Sequence, residues 1–232
     1  AGSSFSAMPP VNGFFLAIIV LALGFFSYNV QRLIGYLQLG RLDDVRWTQI
    51  PTRVGNFLRI GIFQEKIFRD SVAGPMHALI FWGFLVLGAS TTEFLIGGVF
   101  PGFGYDLFLP EPIYHLYRLS QEGFAAAVLA MVGMALWRRL THRVPRLEGA
   151  ETHPNDPLLI LSWIAALMIT MFGADYAPQP SLLHSAMWWS HALLVLGFLN
   201  YLPYSKHLHV VVSLPNTFLS NTSGPGAVGT MR

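Results

Sequence analysis

Hydrophobic and polar positions along this chain separate on the scale of whole segments. Five stretches are almost continuously apolar, at about 11–36, 75–99, 113–137, 157–176 and 182–202. Each is long enough to cross the roughly 30 Å hydrocarbon core of a bilayer, which takes about 20 helical residues. The fourth is the shortest. Residues 53–70 read differently: Val54, Phe57, Leu58, Phe63, Ile67 and Phe68 alternate with Arg53, Arg59, Glu65, Lys66 and Arg69 at roughly helical spacing. That pattern predicts an amphipathic helix lying on the membrane surface. From 211 to 232 the chain turns to Gly, Ser, Thr and Asn and predicts a flexible tail. The expected fold is therefore an all-α integral membrane protein, a five-transmembrane-helix bundle in residues 1–210.

Composition agrees. The chain is 53% hydrophobic and 11% charged, against about 25% charged residues in an average soluble domain. The basic residues fall on one side. Arg41, Arg46, Arg53, Arg59, Lys66 and Arg69 follow the first span, Arg138, Arg139, Arg143 and Arg146 the third, and Lys206 the fifth. The opposite loops carry Asp106, Glu111 and Asp175 without Lys or Arg. The positive-inside rule then predicts an outer amino terminus and a cytoplasmic carboxyl terminus for this multi-pass protein. The net charge of +2 reflects this topology, and no nucleic-acid partner is expected. No cationic stretch precedes the first span, so the opening residues read as a short outer tail and not as a signal peptide. The absence of cysteine excludes thiolate-bound iron–sulfur clusters and covalent c-type haem within these residues. No internal repeat and no nucleotide-binding glycine motif is present.

The candidate chemistry is carried by histidine. His191 and His209 lie eighteen residues apart in an apolar run. On one continuous helix that is about five turns, so both would project from one face about 27 Å apart, suited to two stacked haems. His77 enters at the start of the second span, at the same level as His209. Two helices thus deliver imidazoles to one leaflet, as bis-histidine ligation of a b-type haem requires. Gly74, Gly83, Gly88 and Gly197 either leave room for a macrocycle or serve close helix packing. His142, His153 and His207 read as solvated interfacial residues.

The segment HALLVLGFLNYLPYSKHLH resembles the last membrane helix of the nitrate reductase gamma subunit family. GPMHALIFWGFLVLG and KHLHVVVSLPNTF are similar to the membrane parts of heterodisulfide-reductase-like and electron-transfer-flavoprotein:quinone oxidoreductases. The resemblance implies that His77 and His209 bind a haem on the cytoplasmic side, with His191 ligating an outer haem. Where the nitrate reductase branch has the other outer ligand this chain has Leu87. His115, or less well His184, stands as a substitute, so one or two haems b are expected.

Tyr114, Arg118 and Glu122, with Glu93 behind them, are candidates for contacting a quinone, since a quinone site needs polar groups that exchange protons. Arg118 and Glu122 also read as a structural i,i+4 pair. The segment at 53–70 is either a docking platform for a soluble redox subunit or a plain interfacial linker. The resemblance implies a cytoplasmic iron–sulfur partner, quinone and membrane lipid. The expected function is a cytochrome b subunit of a respiratory quinone oxidoreductase complex, moving electrons between the quinone pool and that partner. The alternatives are a haem-free membrane anchor and a small proton or substrate transporter.

Overall fold

The computed structural model describes residues 12–38, 47–141, 156–205, 208–220 and 222. Outside them lie the expected outer tail, Arg41, Arg46, Arg143, Arg146, Lys206, His142, His153, His207 and the tail beyond 222. Among the described residues every element is helical. Five helices are long and apolar enough to cross a membrane: α1 (Asn12–Gln38), α3 (Ala73–Val99), α4 (Glu111–Thr141), α5 (Asp156–Tyr176) and α6 (Leu182–Tyr201). The shorter α2 (Ile50–Asn56) lies before α3 and α7 (Leu208–Phe218) follows α6.

The long helices close a ring. α1 packs on α6, α6 on α5, α5 on α4, α4 on α3 and α3 back on α1. Two buried clusters hold it. One joins Phe15 and Ile19 of α1 to Phe94 of α3, Ala174 of α5 and Trp188, Ala192 and Leu196 of α6. The other joins Leu87 of α3 to Ala125, Val128 and Val132 of α4 and to Met168 and Met171 of α5. Small residues set these approaches: a Cβ on Gly98 would collide with the Phe15 ring, and one on Gly83 with Val128. Outward faces stay apolar, with Leu21 at 74% and Leu182 at 87% exposure. In water such surface is a liability, whereas in lipid it is the required solvent-facing side.

Three expectations are corrected. Residues 53–70 do not form one amphipathic helix. The last turns of α2 pass into a π-helical stretch, Phe57–Ile62, and a 3-10 turn, Glu65–Arg69, separated by Gln64 in the left-handed region at φ 57°. Residues 208–218 are helical where a flexible tail was expected from 211, because α7 packs on the π-helical stretch. Finally, His191 and His209 do not share one continuous helix. Pro203 lies in the 3-10 turn Leu202–Tyr204, Ser205 is extended, and α7 begins anew at Leu208. Proline lacks the N–H that the helix ladder needs at that place.

Candidate functional site

The two ends of the ring differ in charge, and the end carrying Lys66, Arg138 and Arg139 is here called the basic end. There the first turns of α3 and α7 bring the His77 and His209 rings together, their centroids 6.1 Å apart and their planes inclined by 33°. Pro75 occupies the first turn of α3, where a missing N–H is harmless, and the Asp70 carboxylate accepts from the Ala73 N–H at 2.8 Å. Gly74 allows the helix start to lie against the 3-10 turn, since a Cβ there would strike the Ile67 carbonyl. α7 is fixed from below. Its Leu214 sits against Gly61, and Arg53, 3% exposed, donates to the carbonyls of Phe218 at 3.1 Å and Ser220 at 2.8 Å. These are the orphan acceptors at a helix end, satisfied by a cation.

Two imidazoles on opposite sides of one metal ion, each bonded at about 2.0–2.1 Å with its ring centre about 1.1 Å further out, stand about 6.3 Å apart. The observed 6.1 Å meets that spacing. Both rings line a cavity of about 830 Å³, walled by Ile80, Phe81, Phe84, Ala135, Leu161, Ile164 and Phe198. This lies within the roughly 300–1,000 Å³ of sites that enclose sizeable organic ligands. Both histidines keep accessible surface while lining it.

His191 is separate from this pair. It is 5% exposed, with Nδ1 3.0 Å from the Thr170 hydroxyl and 3.1 Å from the Leu167 carbonyl. A carbonyl only accepts, so this contact places the proton on Nδ1. The Phe94 ring meets the imidazole edge-on at 5.1 Å. His191 lines a smaller chamber of about 270 Å³ together with Leu87. His115 is exposed on α4 and lines neither space. His184 is buried and takes a hydrogen bond from Gln179 at 2.9 Å. The chamber and the larger cavity share Ile80, Phe84, Ile164 and Phe198. Gly83 and Gly197 serve packing, against Val128 and Trp163, whereas Gly88 lines the chamber with nothing within 4 Å of an added Cβ.

The opposite end is acidic and closed. Glu93, 8% exposed, accepts from the Tyr105 N–H at 2.8 Å, the Tyr117 hydroxyl at 2.9 Å and the Tyr114 hydroxyl at 3.4 Å. Arg118 pairs with Asp175 of α5 at 3.3 Å and more loosely with Glu122 at 3.9 Å. Tyr114, Arg118, Glu122 and Glu93 are thus brought together, as a clamp joining α3, α4 and α5. Burial, and then the charge of Glu93, push the Tyr105 phenol above its ordinary range. Sequence reasoning missed Tyr105, Tyr117 and Asp175 as site residues, although a glutamate in an apolar span demands donors and three tyrosines follow it within 24 residues. It also missed Thr170 beside His191.

Comparison with known proteins places this geometry in context. The chain is 25% identical over 243 aligned residues to a probable iron–sulfur-binding oxidoreductase, FadF, of Bacillus subtilis, covering 91% of this chain and 33% of that protein. It is 22% identical over 250 residues to the EtfAB:quinone oxidoreductase of Syntrophomonas wolfei, covering 89% of this chain and 33% of that protein. The chain therefore spans about a third of the length of the curated relatives it matches. No family model matches it. No solved structure matches it. Its similarity is to oxidoreductases, and its five apolar helices fit the membrane part of an electron-transfer system.

Proposed function

We propose that the chain is a membrane cytochrome b that transfers electrons between the quinone pool and an iron–sulfur protein on the basic side, which the positive-inside rule makes cytoplasmic. The carrying observation is the His77–His209 pair, 6.1 Å apart on the wall of an 830 Å³ apolar cavity. Among the described residues no group of three or more His, Asp or Glu converges as a metal cage. A haem iron asks for less, since the porphyrin provides four donors and the protein only the axial two. A b-type haem held there supplies reversible one-electron exchange. The chain's own part is to present two imidazoles from separate helices, fix α7 through Arg53, and line the cavity with the apolar rings of Phe81, Phe84 and Phe198. The relatives are named for iron–sulfur binding and for quinone, and these are the two partners this reading needs.

The reading counts one haem. The chamber below His191 is smaller than the usual range for large ligands, and Leu87 occupies its wall. The acidic cluster at Glu93 stands sixteen residues, about 24 Å, along α3 from His77. Electron tunnelling falls steeply with distance, so the quinone ring approaches through the chamber that shares four wall residues with the haem cavity. Haem content per purified chain tests this. One haem is expected, absent from His77→Ala and His209→Ala and retained in His191→Ala. Protein without haem, made with adequate haem supply, overturns the reading.

A further inference from the structure

The same cavity has a feature that imidazoles do not explain. Lys66 from the 3-10 turn and Arg138 and Arg139 from the last turn of α4 line its wall. Asp70 lines the same wall, with its Oδ1 accepting from the N–H groups of Val72 and Ala73; among the described residues none of the three cations has a carboxylate within ion-pair distance, whereas Arg59 pairs with Glu65 and Arg118 with Asp175. Arg138 and Arg139 are half-buried. A half-buried guanidinium beside an apolar space gains most from a carboxylate or phosphate that accepts two of its N–H groups.

We propose that Lys66, Arg138 and Arg139 form an anion subsite for the two carboxylates of the haem, an inference that rests on the haem reading above. The placement fixes the orientation of the macrocycle. Its carboxylate edge faces the basic-end surface beside α4, and its apolar edge lies against Ile80, Phe84, Ile164 and Phe198, the residues shared with the chamber under His191. Rotating the ring by half a turn would put two carboxylates among those side chains with no cation to meet them.

The test compares haem with its dimethyl ester, which keeps the iron and ring and loses both negative charges. Each is titrated by absorbance into the full chain purified haem-free in detergent, and no variant is needed for the first arm. The wild-type chain is expected to bind haem about 10- to 100-fold more tightly than the diester, the range for losing charge-assisted hydrogen bonds. Arg138→Gln with Arg139→Gln should abolish that preference, and the double lysine variant should restore part of it. Equal wild-type affinity for the two ligands overturns the subsite and leaves the arginines facing lipid phosphate. Binding of neither overturns the haem reading and this inference with it.

Discussion

The two ends of α3 use polar side chains in opposite ways. Near its acidic end Glu93 is surrounded by donors from its own chain: one backbone N–H and the hydroxyls of Tyr114 and Tyr117. At its start His77 meets another imidazole at 6.1 Å on the wall of a cavity that Lys66, Arg138 and Arg139 also line, with Asp70 as the one carboxylate among the described residues of that wall. A burial cost met by neighbours marks a structural site, because unpaired polar groups in an apolar medium are expensive. At the start of α3 the polar groups instead line one wall together, His77 and His209 beside Lys66, Arg138 and Arg139. His191 stands between these cases, held at Nδ1 by α5 and open to a chamber.

Substitutions at the two ends of α3 should have opposite effects on cofactor content. His77→Ala should remove all haem absorbance, and Glu93→Gln none of it. A Glu93 variant that lost haem would make the acidic end part of the binding site. Next in size, Glu93→Ala should lower stability by about 3 kcal/mol, since it strands the Tyr105 N–H and the Tyr117 hydroxyl at about 1–3 kcal/mol each, read from thermal unfolding in detergent. Gly88→Phe should slow quinol reduction of the haem about tenfold, equivalent to about 1.4 kcal/mol, with haem content unchanged. An unaltered rate would place the quinone elsewhere. Thr170→Val should cost about 1 kcal/mol, because the Leu167 carbonyl still accepts from His191.

The smallest effect is alkaline. The native Tyr105 phenol stays protonated to higher pH than an unfolded one. Its contribution is therefore intact below the ordinary value of 10.0 and is lost as pH rises from there through the raised native value. Tyr105→Phe should flatten that decline in an unfolding titration.

Much of the bundle was legible because lipid permits few solutions: a polar backbone in hydrocarbon must be helical, and length then reveals each span. α7 was not, since Pro215 and the polar residues after it argue locally for a tail. What overrides them is tertiary, the seat of Leu214 on Gly61 and the cap from Arg53. His77 and His209 could be paired from depth alone. Depth could not reveal Lys66, Arg138 and Arg139 as one wall, because they come from separate segments and topology already accounted for their charge. The Glu93 cluster was half visible: the carboxylate announced a need, but which phenols met it depended on how α4 and the loop at Tyr105 fold over α3.

The cap from Arg53 to α7 has a consequence for biogenesis. His77 is in place once α3 is inserted, but its counterpart is made more than a hundred residues later, on a segment that must turn back to an arginine synthesised before α3. Until that return, a nascent chain with all five spans in the bilayer holds one imidazole of the pair and a guanidinium without its carbonyls. The two imidazoles therefore meet only after α6 and the turn at Pro203 have been made, and a chain interrupted before Ser220 would hold its long helices yet leave α7 without its full anchor on Arg53.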